Sequence, residues 1–226
     1  MIFELAGFAA AAGISAPEQF ADRCEILREL LEKVNQEVNL TRITGKADFD
    51  LKHAADSLLL PMVFPELTKK PLNIADIGCG AGFPSLILAL AFPHWQISAI
   101  DSIGKKVNFV RQAAELLQLK NLTAIHGRAG ELNRKAEFQR KFDIVTARAV
   151  APSPKIFRET DKFIKPNGMW IFYKTPGQAA EELPELRKIK NIHWEVTGEI
   201  ALPDDAGTRV FVNGKIKTPC SREGVM

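Results

Sequence analysis

The stretch Asn73-Ile-Ala-Asp-Ile-Gly-Cys-Gly-Ala-Gly-Phe-Pro84 constrains the fold of this chain more than any other. An apolar strand runs into three glycines at alternate positions, Gly78, Gly80 and Gly82, and then into an apolar helix. With no Cβ in the way, the backbone there turns tightly and approaches a ligand closely. The helix behind it turns its free N–H groups towards that ligand. Asp101 ends the next strand, 23 residues after Gly78. A carboxylate in that place accepts hydrogen bonds from both ribose hydroxyls. The pattern predicts a site for an adenosine-containing cofactor. In the dinucleotide fingerprint the third glycine lies five residues after the first; here it lies four after, and bulky Phe83 follows. Asp76 also suits a cationic methionine moiety better than a diphosphate. S-adenosyl-L-methionine meets both conditions, and NAD is the runner-up.

The texture around this motif is α/β. Residues 1–60 read as helical, with Ser15 as N-cap. Phe20, Cys24, Leu27, Leu31, Val34 and Val38 form one apolar stripe at spacings of three and four, which is core packing. A second helix is expected over 47–60, ended by Pro61 and Pro65. Strands are expected at 72–77, 96–100, 122–125, 142–146 and 168–173. They alternate with helices at 84–92, 105–119, 154–164 and 178–189. Such alternation argues for a parallel sheet covered on both faces. Strands at 193–200 and 208–215 follow with no helix between them, so the sheet is expected to finish antiparallel.

Composition excludes several classes. At 226 residues, 46% hydrophobic and 25% charged, the chain is neither disordered nor disulfide-dependent. Its three cysteines, Cys24, Cys79 and Cys220, form no CxxC pair, so neither a disulfide framework nor a metal site is expected. Glu4 is the only charge before the uncharged segment 5–16, which reads as a packing helix rather than a secretory signal. The longest uncharged run, 77–100, is broken by glycine, proline and His94, and no membrane span is expected. The expected location is the cytoplasm, and the sequons at Asn39 and Asn121 are then chance matches. The net charge of +3 conceals an uneven distribution: −4 over 1–60 and +6 over 104–141. A basic face beside the site is the expectation.

Further motifs follow in order: Asn39-Leu-Thr41, His53-Ala-Ala-Asp-Ser57, Asp101-Ser-Ile-Gly-Lys-Lys106, Gly127-Arg-Ala-Gly-Glu131 and Thr146-Ala-Arg-Ala-Val-Ala151. Together with the glycine motif they resemble the glucose-inhibited division protein B family, over about residues 14–217. That family methylates guanine N7 in small-subunit ribosomal RNA. The resemblance implies a class I S-adenosylmethionine-dependent methyltransferase fold, Rossmann-like, with a seven-stranded mostly parallel sheet and its last strand antiparallel. Residues 1–60 would be an N-terminal helical extension, 61–217 the methyltransferase domain and 218–226 a short tail. The implied partner is 16S ribosomal RNA or the small ribosomal subunit, met by a monomer. By resemblance, Gly78 and Phe83 line the cofactor site, Ala129 and Gly130 meet the adenine end, and Arg148 sits beside cofactor and target base. Two departures stand out. The family's Lys-Gly pair after the fifth strand is here Lys174-Thr-Pro-Gly177, and its basic, Pro-rich tail is here Cys220-Ser-Arg-Glu-Gly-Val-Met226.

The residues constrain the acceptor independently. The segment after the fourth strand, Ala147-Arg-Ala-Val-Ala-Pro152, lacks the Asn/Asp-Pro-Pro-aromatic loop common among enzymes that methylate exocyclic amines. Carbon-5 methylation needs a thiolate nucleophile, and the only cysteine near the site, Cys79, sits in the cofactor loop, the wrong place for it. Guanine N7 presents a lone pair and no proton, so orientation alone suffices. Candidate catalytic residues are Arg148, Lys174 and His53. Candidate cofactor contacts are Gly78, Gly80, Gly82, Phe83, Asp101, Ser102, Ala129, Gly130 and Arg148. Candidate RNA contacts are Lys105, Lys106, Arg128 and Lys174. The alternatives are a methyltransferase acting on a small molecule or protein, and a non-catalytic adenosine-binding regulator.

Overall fold

The computed structural model describes residues 3–43 and 45–217; the short tail expected at 218–226 lies outside them. Helices α1 (Leu5–Ala11) and α2 (Pro17–Val38) come first. The cap of α2 is Ala16, with no side-chain hydrogen bond, so Ser15 does not play the expected part. A third helical stretch has three pieces: α3 (Lys46–Phe49), a π-helical turn over Asp50–Ala55, and α4 (Asp56–Val63). It continues through Pro61 instead of stopping there. A π turn interrupts the regular ladder and is frequent at functional sites.

The sheet is built from β1 (Leu72–Ile77), β2 (Trp95–Asp101), β3 (Leu122–His126), β4 (Phe142–Arg148) and β5 (Ile164–Lys174), followed by β6 (Ile192–Val196), a two-residue β7 (Ile200–Ala201) and β8 (Thr208–Ile216). Its order is β3-β2-β1-β4-β5-β8-β6, with β7 paired to β8 off that path. Strands β1 to β5 run parallel to one another. Strand β8 runs antiparallel between β5 and β6. The antiparallel finish expected from sequence is therefore present, with β8 inserted inside the sheet rather than added at its edge. Between the strands lie α5 (Ser85–Ala91), α6 (Gly104–Leu116), α7 (Ala129–Leu132), α8 (Ser153–Thr160) and α9 (Pro176–Leu186). Helix α8 stops four residues before the expected 164, because Ile164 already pairs with Phe142 as strand.

Alternation along the strands splits the core in two, since successive side chains point to opposite faces. Ile74, Ile144 and Ile171 join one cluster, with α5, α6 and the stripe of α2. Ala75, Val145 and Phe172 join the other, under α7, α8 and α9. The first four stripe residues of α2 are buried, so the N-terminal helices form one cover of the sheet. Truncating fully buried Leu27 to Ala is expected to cost roughly 2–5 kcal/mol. Asn121 is buried and gives its amide to the carbonyls of Ala89, Phe92 and Trp95, which leaves that sequon no room to act as an acceptor.

Candidate active site

The strand order reverses at β1 and β4, and open α/β sheets bind ligands outside the carboxyl ends of the strands there. A groove of about 460 Å³ lies at that edge, with Gly78, Asp101, Ser102, Lys106, Arg128 and Ala129 in its wall. Six of the residues expected at the site thus meet in one cavity. Gly78 has φ 65°, and a Cβ there would strike Val150 at 2.4 Å. Only glycine fits that position. Asp101 is buried at the end of β2 and takes one backbone N–H on each oxygen, from Gly80 at 2.9 Å and from Ile103 at 2.8 Å. Its carboxylate is thereby fixed, with lone pairs left for ribose hydroxyls.

Asp76 precedes the glycines and is buried. Its Oδ2 accepts from the backbone and hydroxyl of Ser85, while Oδ1 has no partner. Burial pushes its carboxyl up to about 7. An orphaned buried acceptor is costly unless something donates to it. The ammonium of a methionyl group is such a donor. The bare backbone at Gly78, the anchored Asp101 and the orphaned Asp76 oxygen together fit S-adenosylmethionine.

Other expected contacts sit elsewhere. Gly80 holds Asp101 rather than lining the groove. Gly82 faces α5 and α6, where a Cβ would meet Leu86 at 2.4 Å and Val110 at 3.2 Å. Gly130 lies beneath Glu159. Phe83 is turned into the core, stacked on His53 with ring centroids 3.9 Å apart and edge-on to Phe49. The bulk that argued against a diphosphate thus serves packing.

A second cavity, about 290 Å³, adjoins the first and shares Ala149 with it. Arg148, at the end of β4, forms part of its wall together with Lys52, Asp56, Tyr173 and Arg209. The Arg148 guanidinium is held three ways: Nη1 donates to Asp56 Oδ2 at 2.8 Å and to the Lys52 carbonyl at 2.9 Å, and Nη2 meets His53 Nδ1 at 3.1 Å. Lys52 and His53 lie in the π turn, which supplies both acceptors. Arg209, from β8, places Nε 2.9 Å from Asp56 Oδ1. One buried carboxylate thus serves two guanidinium groups. Tyr173 donates to the Ser57 carbonyl at 2.8 Å.

Three expected roles need correction on these contacts. His53, expected among the catalytic residues, is buried and does not reach an RNA; burial, and then Arg148, pull its imidazole down to about 2. Arginine only donates, so Nδ1 accepts and His53 is neutral with the proton on Nε2. Lys174 is also buried, bonded to Glu182 at 2.9 Å and to the Ala151 carbonyl at 3.1 Å, and is not free for phosphate. Lys105 donates to the Val38 carbonyl at 2.7 Å, capping the C-terminal end of α2, where a cation is favourable. That contact accounts for a lysine at the head of α6 without any outside partner. The basic segment does not share one face either. Lys106 and Arg128 lie at the carboxyl edge, whereas Lys120, Arg140 and Lys141 precede β3 and β4 at the amino edge.

Sequence reading missed Arg209, Glu182 and Val150. Arg209 comes into reach only because β8 inserts beside β5, and no local motif marks it. Among the described residues no group of three metal-ligating side chains occurs, and no helix is long and apolar enough to cross a membrane.

A mostly parallel sheet in this order, with a glycine turn after β1 and an acidic residue closing β2, defines a class I S-adenosylmethionine-dependent methyltransferase. An O-methyltransferase from Bacillus cereus solved in complex with SAH is similar in fold, with a TM-score of 0.59 at 16% identity, covering 84% of this chain and 90% of that one. The particular family is given by sequence. The chain belongs to the GidB family, described as rRNA small subunit methyltransferase G, whose model matches residues 21–199. It is 42% identical over 195 residues to the ribosomal RNA small subunit methyltransferase G of Lactococcus lactis subsp. lactis, covering 84% of this chain and 81% of that one. To the protein of the same name from Leuconostoc mesenteroides it is 35% identical over 211 residues, covering 92% and 88%.

Proposed function

We propose that this protein methylates N7 of a guanine in 16S ribosomal RNA, in the cytoplasm, using S-adenosylmethionine held in the groove beside Gly78 and Asp101. The observation that carries the reading is the meeting of two cavities at Ala149, one suited to the cofactor and the other bounded by Arg148. When bound, the cofactor supplies an electrophilic methyl on a sulfonium. Everything else is orientation by the chain's own residues. Asp101 fixes the ribose end and Asp76 the methionyl end. Arg148 offers its remaining N–H groups to guanine O6 or to a phosphate, which sets the purine edge. Bringing N7 into line in this way is worth several kcal/mol without proton transfer.

The surroundings of Arg148 support an acceptor that needs no base. His53 is neutral and its Nδ1 is engaged. Asp56 is shared between Arg148 and Arg209. Burial drives the Tyr173 hydroxyl and the Cys79 thiol well up, so neither ionises readily. Lys52, Arg148, Lys174 and Arg209 line the second cavity with Asp56. Lys52 is paired with Asp48 and Lys174 with Glu182, so two guanidinium groups share the one carboxylate of Asp56 and the remaining positive charge favours an anion.

Small ribosomal subunits and naked 16S RNA from a strain lacking this enzyme, incubated with labelled S-adenosylmethionine, test the reading. Label is expected in the RNA. Cofactor binding with no label in either substrate contradicts it and favours the non-catalytic adenosine binder.

A further inference from the structure

We propose that Val150 is a selectivity-determining residue, whose γ-methyl groups limit the size of the group carried by the cofactor's sulfonium. This rests on the reading of the groove given above.

Val150 is 46% exposed, the one large apolar side chain in a loop of alanines, Ala149 and Ala151. Its two γ-carbons stand 2.4 and 2.6 Å from where a Cβ on Gly78 would lie. They therefore rest on the bare backbone of the first glycine. Gly78 donates to the Ile100 carbonyl at 2.7 Å, one residue before Asp101. A ribose held by Asp101 would carry its sulfonium one methylene from the ring, within the groove that Gly78 and Val150 also line. Val150 lines the same groove as Gly78 and Asp101, and over the first glycine it is the apolar side chain offered to a substituent on that sulfonium.

The loop behaves as a wall rather than a lid, because it is pinned on both sides. Arg148, before it, has three hydrogen bonds. Ala149 takes a left-handed φ of 53°, uncommon for a residue with a Cβ. After it, the Ala151 carbonyl accepts from Lys174, and Glu182 receives both the backbone N–H and the hydroxyl of Ser153, at 2.8 and 2.6 Å. Glu182 also binds the buried Lys174, so one ion pair fixes the whole turn. Valine has a stiff χ1. A stiff side chain on a pinned turn discriminates by shape, and a single extra methylene in such a place changes affinity by roughly tenfold or more.

Calorimetric titration of S-adenosylmethionine and S-adenosylethionine into the wild-type protein, Val150→Ala and Val150→Ile tests this. The wild type is expected to bind the ethyl compound at least tenfold more weakly than the methyl one. Val150→Ala brings the two within threefold, and Val150→Ile weakens even the methyl compound. Circular dichroism confirms that the variants are folded. An unchanged ratio in folded Val150→Ala overturns the proposal and leaves the cofactor reading intact. Equal binding of both compounds by the wild type overturns it too. Failure of the wild type to bind S-adenosylmethionine at all overturns the cofactor reading and this inference with it.

Discussion

Arg148 Nη1 stands 2.8 Å from Asp56 Oδ2, and this contact ties the last residue of β4 to the first of α4. Asp56 is 2% exposed. Taking away one member of such a pair leaves an uncompensated charge in the interior, which costs far more than the pair contributes.

Asp56→Asn therefore sets two guanidinium groups against each other with no carboxylate between them. A loss of roughly 3–5 kcal/mol in unfolding free energy is expected, read by denaturant titration. Adding Arg209→Gln to Asp56→Asn should restore part of it. Simple additivity of the two changes contradicts the shared-carboxylate arrangement.

Asp76 makes stability fall with rising pH. Its carboxyl titrates near 7 in the folded chain, against 3.8 as the ordinary value. Between those values the folded state keeps a proton that the unfolded state has lost. Stability from this group is complete below about 4 and is lost as pH rises through about 7. Asp76→Asn should flatten the fall in melting temperature between pH 5 and pH 8, and saturating cofactor should flatten it in the wild type. A slope unchanged by Asp76→Asn contradicts the assignment.

His53 acts in the opposite sense. It titrates near 2 when folded and 6.5 ordinarily, so the unfolded state alone takes up a proton below 6.5. Its stability is present above that pH and is lost as pH falls; the loss is about 2 kcal/mol between pH 7 and pH 5. His53→Gln should remove that part of the acid sensitivity. A wild-type imidazole that titrates near 6.5 by NMR contradicts it.

Much of this was legible in the sequence because the signals were local. The glycine turn, Asp101 and the strand-helix alternation each depend on a few consecutive residues and came out where expected. What stayed hidden depends on partners far along the chain. Lys174 and Lys105 looked free because Glu182 and the Val38 carbonyl cannot be foreseen as their partners. Phe83 looked like a ligand contact because nothing local shows His53 lying flat on its ring. Arg209 was invisible, since it reaches Asp56 only through the insertion of β8. The net charge of the segment 104–141 was right but its geometry was not, because its cations divide between opposite edges of the sheet.

That division makes its own prediction. Lys106→Gln with Arg128→Gln, at the carboxyl edge, should weaken RNA binding and lower the salt slope by about 1–2. Lys120→Gln with Lys141→Gln, at the amino edge, should leave the slope unchanged. Filter binding across a salt series distinguishes the two, and equal effects contradict an RNA path along the carboxyl edge.

The central claim, transfer to guanine N7 with no general base, is tested most directly by borohydride and aniline treatment of 16S RNA after methylation in vitro. N7-methylguanosine makes the strand cleave at the modified base. The expected result is one new cleavage site that appears only with both enzyme and S-adenosylmethionine. Methyl label in the RNA with no aniline-sensitive site would place the group on another atom and contradict the account.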